Sequence, residues 1–354
     1  MTMSYLLQEL RVMVLKSDLE KVSIAIMGVG NVGRNFLSLL SRNQKGIRRK
    51  TGKEIVVSFA SDSNGIYSVR SGMSTETLLK AKEEGKLREA GKKVEMEDVL
   101  GESPDIIVDM TPATPDGLSG MGMYVDAFKH GIDVVTANKS PLAMHWSEVM
   151  NSARINGRKI RYEATVAGGT PLFNLIDYSL MPVEIVRVRG IVSMTVNFVL
   201  DRMLHNLDFE QSIRMAQREG IAETNFHDDT LGIDSARKTV IISNSIFGSN
   251  ISLNDIEFDG VENLSDHLDE MKRSGDRYRI VSDVYRKGSE ILASSKLQSM
   301  EPLDPLVSLG TTSLCYLLET TDGSKYFVGN IRDGPLETAS AVLNDVMLIS
   351  RERA

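Results

Sequence analysis

Residues 21–42, KVSIAIMGVGNVGRNFLSLLSR, leave this chain few folds to choose from. Val22–Met27 is a mostly apolar run of strand length. Gly28, Gly30 and Gly33 follow as G-x-G-x-x-G, and Phe36, Leu37, Leu39 and Leu40 then form the apolar face of a helix. Strand, glycine turn and helix in that order make the phosphate-binding opening of a doubly wound α/β unit. The first glycine permits a tight turn, the second lets a pyrophosphate approach the backbone, and the third lets helix and strand pack closely. Asn31 and Val32 share the first helical turn, whose free N–H groups and positive dipole end face the phosphates.

Downstream, apolar strands alternate with helices. NQKGIRRKTGK reads as a basic, helix-breaking insertion around residues 42–53, and EIVVSFASDSNG as a second strand ending near Ala60. A polar helical region comes next. PDIIVDMTPATPDG is a third strand running into a Pro/Thr loop, VDAFKHG a helix closed by Gly131, and IDVVTANK a further strand. The expected fold class is therefore α/β, with a Rossmann-type doubly wound parallel sheet. KIRYEATVAGGTPLFNLI reads as a hinge, with a strand over Ile160–Ala164 and a helix after Pro171. Beyond it, VEIVRVRGIVSMTVNFVLDRM is a strand feeding a helix, and Asp208 caps another helix. Two hairpins turn at Lys-Gly and Asp-Gly, and PLETASAVLNDVMLIS is the closing helix.

At 354 residues the chain exceeds one ordinary core, so two domains are expected. Lys+Arg 41 against Asp+Glu 48 gives a net charge of −7, which argues against a protein whose main task is gripping nucleic acid. The single cysteine, Cys315, excludes an internal disulfide framework and points to a reducing, cytoplasmic setting. Inside SLCYLL it reads as a small buried residue. No window approaches the ~18 uninterrupted apolar residues of a membrane span. The first 20 residues are interrupted by Gln8, Glu9 and Arg11 and lack a cleavage site, so they read as a helical extension rather than a signal peptide. The five histidines show no metal-ligand spacing.

Three places carry candidate chemistry. Lys139, in DVVTANKSPLA, stands just past a strand end, where ligands of doubly wound sheets bind. Asp62, in SFASDSNG, is the candidate acid for the adenosine ribose, delayed by the insertion over 42–53. It would favour NAD, whereas Ser61 and Ser63, or Arg48, Arg49 and Lys50, could hold the 2′-phosphate of NADP, so that choice stays open. The block REGIAETNFHDDTLGIDSARKTVI gathers Glu223, Asp229, Asp234 and Lys238. Asp234 and Lys238 are four apart and share a face on a helix starting near Asp234. A lysine beside carboxylates keeps its proton and can act as general acid toward a carbonyl oxygen, while the carboxylates suit an ammonium-bearing substrate. On spacing alone, an ordinary surface pair of about 0.2–0.5 kcal/mol is the alternative.

Together, GVGNVGR, VVTANKSPLA, EATVAGGTP, AQREGIAETNFHDDTLGIDSARK and DGPLETASAVLND give the chain a resemblance to homoserine dehydrogenase, from about Val22 to the C-terminal helix. The fourth block is the most specific. Ala216, Gly220, Asp229, Gly232, Asp234 and Lys238 reproduce A-x3-G, a spacer, and D-x2-G-x-D-x3-K. That family reduces L-aspartate 4-semialdehyde to L-homoserine with NADPH or NADH, on the way to threonine, methionine and isoleucine, and the resemblance implies the same here. It places Lys238 as proton donor, Asp234 between substrate and Lys238, and Glu223, Asp229 and Thr195 at the substrate. Lys139 would lie near nicotinamide and substrate, Thr111 would touch the nicotinamide, and Gly334 would close over the cofactor. Glu163, Val166, Gly168 and Thr170 match a loop that holds a monovalent cation, Na or K, in some members, mostly through backbone carbonyls. The resemblance also implies a cofactor domain over 21–160 and 328–354, a catalytic and dimerisation domain over 161–327, and a homodimer.

The sequence departs from the family pattern in places. G-I-x-N-G-T reads GIVSMTVNF, with Ser193 for the Asn and Met194 for the Gly beside the substrate. E-x-D-P reads Glu223-Thr224-Asn225-Phe226, and Ile221 stands where an aromatic is usual. These changes bear on substrate and rate more than on fold. Neither a C-terminal regulatory extension nor a fused aspartate kinase module is expected. Two rival readings are a dehydrogenase of the same fold acting on another oxo acid, and a non-catalytic NAD(P)-binding regulatory protein. The latter need not keep Lys238, Asp234 and Glu223 together.

Overall fold

The computed structural model describes residues 20–166, 168–222, 225–262, 264 and 268–353, so nearly all of the expected N-terminal helical extension lies outside the described residues. Strand β1 (Lys21–Met27) leads through the glycine turn into helix α1 (Asn31–Thr51). The insertion suggested over 42–53 does not break this helix, which continues to Thr51. Gly46 costs a helix about 1 kcal/mol, but burying Ile47 in the cluster that holds Phe36 and Leu40 contributes about 1.5–3 kcal/mol. Packing wins. The helix ends at Gly52, whose φ of 72° suits a residue without a Cβ.

Strand β2 (Glu54–Asp62) lies parallel to β1. Where the sequence suggests only helix, Asn64-Gly65 turns the chain into β3 (Gly65–Val69), antiparallel to β2. Helix α2 (Thr75–Glu83), β4 (Gly91–Val94) antiparallel to β3, and α3 (Met96–Glu102) follow. The alternation then resumes with β5 (Ile106–Asp109), α4 (Leu118–Lys129), β6 (Asp133–Thr136), α5 (Ser140–Met144), α6 (Trp146–Ile155) and β7 (Ile160–Arg161). The first sheet runs β4-β3-β2-β1-β5-β6-β7, parallel from β2 to β7. Strand order reverses direction at β1 and β5, which opens the crevice that binds ligands in such sheets.

β7 is shorter than the strand suggested over Ile160–Ala164. At Glu163 the backbone coils into one turn, and the side chain caps α7 (Phe173–Ser179). A second layer follows: β8 (Ile185–Ile191), α8 (Met194–Leu204), α9 (Phe209–Arg218), α10 (His227–Thr230), α11 (Ile233–Phe247), β9 (Glu257–Phe258) and α12 (Leu268–Ser274). Two hairpins complete it, β10 (Arg277–Lys287) with β11 (Glu290–Met300), and β12 (Leu314–Thr320) with β13 (Lys325–Asn330). The sheet order is β13-β12-β8-β10-β11-β9. Ile241 and Ile242 of α11 share a buried cluster with Val188, Val284, Tyr316 and Leu318 of this sheet. Helix α13 (Pro335–Glu352) then returns to the first layer, where Ala339, Val342 and Val346 join the cluster of Phe36, Leu37 and Leu40 from α1. Cys315 is buried in β12. Among the described residues no helix is long and apolar enough to cross a membrane.

Candidate active site

The three glycines differ in what surrounds them. A Cβ on Gly28, φ 93°, would stand 2.6 Å from Met110 O and 2.8 Å from Thr111 N. One on Gly33 would stand 2.4 Å from Gly28 O, whereas Gly30 has nothing within 4 Å. Gly28 and Gly33 are thus close-approach positions, and Gly30 opens onto free space at the N-terminus of α1. Asn31 and Val32 lie in that first turn, and Asn31 Oδ1 accepts from Arg34 Nη2 at 2.6 Å. An open backbone cradle at a helix N-terminus fits the pyrophosphate of a dinucleotide.

Asp62 ends β2, as the sequence suggests, but its carboxylate is engaged. It accepts Lys82 Nζ at 2.5 Å and Asn64 N at 2.9 Å. Burial pushes this carboxyl up, yet those donors prevail and hold it below its ordinary value. Ser61 is turned inward, its Oγ accepting Gly28 N at 3.1 Å. The alternative phosphate holders Arg48, Arg49 and Lys50 occupy the last turn of α1, about 26 Å along the axis from Asn31. Arg48 pairs there with Glu54, at the start of β2 and so at the opposite end of that strand from Asp62, which corrects that expectation. The cation actually beside Asp62 is Lys82.

At the other edge of the crevice, four charged side chains meet. Lys139 follows β6 and precedes α5, and Asp234 and Lys238 stand one turn apart on α11. Lys139 Nζ donates to Asp234 Oδ1, and Lys238 Nζ lies 2.8 Å from Asp234 Oδ2. Lys238 also donates to Val192 O, at the end of β8, at 2.7 Å. Among the described residues, two of its three N–H groups are therefore held, which leaves one to give. Burial pushes the Asp234 carboxyl up, but the two ammonium groups prevail and hold it well below the carboxylate range. Burial acts downward on Lys139, and Asp234 more than offsets it, so this ammonium binds its proton more tightly than usual. Asp229 behaves oppositely: burial and then the charge of Asp234 push it up to about 6, against the pull of both lysines and the Thr195 hydroxyl. Thr195 is buried in the first turn of α8 and reaches Ile221 O at 3.2 Å. Glu223, expected at the substrate, lies outside the described residues.

Ser193, one of the departures, caps α8 by accepting Val196 N at 3.5 Å, and Met194 begins that helix. Thr111 N and Oγ1 donate to Asp109 Oδ1 at 2.9 and 2.6 Å. Gly334 stands at the N-terminus of α13. Beside it is Asp333, which sequence reading missed although it opens the block DGPLETASAVLND. Its carboxylate accepts Gly169 N at 2.9 Å and sits where a Cβ on Gly168 would be, so a glycine is required there. Burial pushes this carboxyl up, and Gly169 N–H and the charge of Lys238 oppose that.

In the loop expected to hold a cation, the Glu163 carboxylate accepts the N–H groups of Leu172, Phe173 and Asn174 at 2.7, 2.9 and 2.7 Å, so it caps α7 and leaves the backbone carbonyl as the oxygen Glu163 could offer an ion. Burial pushes it up to about 7. Val166 O accepts the Tyr316 hydroxyl at 3.1 Å, and the buried hydroxyl of Thr170 has no partner among the described residues. Backbone carbonyls and that hydroxyl are the oxygen donors the loop retains.

Comparison with known proteins identifies the family. Residues 28–163 match the family model described as homoserine dehydrogenase, NAD binding domain, and residues 171–347 match the model described as homoserine dehydrogenase. A homoserine dehydrogenase of Methanocaldococcus jannaschii is 32% identical over 337 residues, covering 93% of this chain and 98% of that protein. The crystal structure of homoserine dehydrogenase from Thermoplasma acidophilum superposes with a TM-score of 0.82 at 40% identity, covering 94% of this chain and all of that one. A hyperthermophilic archaeal homoserine dehydrogenase in complex with NADPH matches with a TM-score of 0.80 at 26% identity, over 94% of this chain and 99% of its own.

Proposed function

This chain belongs to the homoserine dehydrogenase family of NAD(P)-dependent oxidoreductases, and we propose how its residues share the interconversion of L-aspartate 4-semialdehyde and L-homoserine. The observation that carries the reading is the pair of lysines on one buried carboxylate, Lys139 and Lys238 on Asp234. NAD(P)H, when bound, supplies the hydride. Lys238 gives its unpaired N–H proton to the aldehyde oxygen, and Val192 O and Asp234 aim it. Asp234 also keeps Lys139 charged beside the substrate. Asp229, with Glu223, opposes the substrate ammonium, and Thr195 stands beside Asp229. Gly28, Gly30, Asn31, Val32 and Gly33 hold the pyrophosphate, while Thr111, Lys139 and Gly334 border the nicotinamide.

Cofactor binding falls to 21–160 and the C-terminal helix, with catalysis and dimerisation assigned to 161–327 and β13 completing that unit to Asn330. A Na or K ion would be held by carbonyls of the 163–170 loop, supported by the orphaned Thr170 hydroxyl. Exposed Phe327 and Leu303 beside the second sheet support a homodimer, and the lone buried thiol supports a cytoplasmic setting. The test is oxidation of L-homoserine by purified protein with NAD and with NADP, read as reduced-nicotinamide absorbance. Turnover with at least one is expected, and the preferred cofactor reveals whether Asp62 serves a ribose hydroxyl or Lys82 a phosphate. A preparation that binds cofactor and oxidises no homoserine overturns the assignment.

A further inference from the structure

Outside the lysine cluster, a buried carboxylate lies directly against Thr111. Asp109 ends β5, is fully enclosed, and receives hydrogen bonds on both oxygens. Oδ1 accepts the N–H and the hydroxyl of Thr111 at 2.9 and 2.6 Å, and Oδ2 accepts the hydroxyl of Tyr124, from α4, at 2.5 Å. Tyr124 is itself fully buried and meets Thr136 Oγ1 at 2.7 Å, which in turn accepts Asn138 N at 2.9 Å. Asn138 closes the circuit. Its Nδ2 donates to Thr111 Oγ1 at 3.1 Å, and its Oδ1 accepts the N–H of Ser140, next to Lys139, at 3.2 Å.

The direction of these bonds can be followed. A hydroxyl has one hydrogen to give and two lone pairs to receive with. Thr111 gives its hydrogen to Asp109 and receives one from Asn138, so a single lone pair remains for whatever stands before it. Burial pushes the Asp109 carboxyl up, and the Thr111 and Tyr124 donors oppose that. Even with a proton on Oδ2, Oδ1 remains the acceptor of both Thr111 groups. The Thr111 backbone also lies against the glycine turn, within 2.8 Å of where a Cβ on Gly28 would be.

We propose that Asp109 is a positioning residue that locks Thr111 as a hydrogen-bond acceptor toward the nicotinamide carboxamide, taking an amide N–H and so fixing which way the carboxamide lies. The inference rests on the reading that Thr111 faces the nicotinamide. A hydroxyl free to donate would accept either orientation, because the carboxamide carbonyl could then take its hydrogen.

The test compares dissociation constants, by calorimetry, for the ordinary oxidised cofactor and for its acetylpyridine analogue, which keeps the carbonyl and lacks the N–H. Wild type is expected to prefer the carboxamide form by about tenfold, the worth of one buried hydrogen bond. Thr111→Val abolishes the preference and Thr111→Ser retains it. Asp109→Ala, which frees the hydroxyl, also abolishes it, and Asp109→Asn, whose amide oxygen still accepts, restores most of it. If Thr111→Val binds the ordinary cofactor as tightly as wild type, Thr111 does not face the nicotinamide and the reading beneath the inference fails. If it weakens both ligands equally, the contact stands and the acceptor assignment is overturned. An Asp109→Ala protein that melts cooperatively and discriminates like wild type removes Asp109 from the role. Should that variant not fold, a preference that Thr111→Val leaves intact overturns the proposal by itself.

Discussion

Two lysines share one carboxylate in this molecule, and their surroundings separate their tasks. Among the described residues Lys139 donates to Asp234, whereas Lys238 is held at two points, by Asp234 and by Val192 O. A group aimed from two directions suits the directional act of giving a proton. A group held at one point suits the looser task of balancing and orienting a substrate. Lys238→Ala should therefore lower kcat by about 10²–10⁴-fold, the usual worth of a general acid, with the cofactor dissociation constant nearly unchanged. Lys238→Arg keeps the positive charge on Asp234 but does not readily release a proton, so it should be comparably slow. Near-normal turnover in the arginine variant would show that charge, and not proton donation, is what position 238 supplies.

At the scale of elements, the strand, glycine turn and helix make a contrast that two substitutions can read. Gly30→Ala adds a methyl group where the protein has nothing within 4 Å, so the melting temperature should hold while cofactor affinity falls at least about tenfold, since the methyl occupies the phosphate cradle. Gly33→Ala drives its methyl to 2.4 Å from Gly28 O, so it should lose affinity and also about 1–3 kcal/mol of stability in denaturant titrations. Equal stability of the two variants would contradict the packing role of Gly33. This unit was legible in the sequence because every part of it is local, and so was the Asp234–Lys238 pair, one helical turn apart. The continuation of α1 past Arg42 was not, because Ile47 earns its place only against a distant core cluster. β3 and β4 escaped notice because short edge strands gain their identity from pairing. The union of Lys139 with Asp234 spans 95 residues, and that of Gly169 with Asp333 spans 164, separations over which no spacing rule reaches. The basic run of α1 misled for the opposite reason: its composition suits phosphate, but the helix carries it to the wrong end.

Across the whole molecule, the two layers meet at a buried pair of acids. Glu163 N donates to Asp345 Oδ2 at 3.0 Å, and Asn174 Nδ2 reaches Asp345 Oδ1 at 3.2 Å, so the segment after β7, helix α7 and helix α13 are tied at one point. Burial first, and then mutual repulsion, push Glu163 up to about 7, and burial pushes Asp345 up to about 6, from ordinary values of 4.5 and 3.8. Between those limits the folded chain keeps protons that the unfolded chain has released, so the stability from these groups is present at the acid side and is lost as pH rises. Asp345→Asn should flatten the fall in Tm between about pH 4 and pH 7, and identical slopes in the two proteins would absolve the pair. Close to this point the chain leaves the first layer after β7 and re-enters it at α13, and Asp333 stitches the exit to the return at Gly169. The second layer is in effect a guest admitted to a host sheet through a single doorway. The host keeps Lys139 and the dinucleotide cradle, while the guest carries Asp234 and Lys238. With Lys238 as the acid, a chain whose guest is unseated would hold its reductant and lack the proton donor, so an unfinished molecule would be inert rather than indiscriminate.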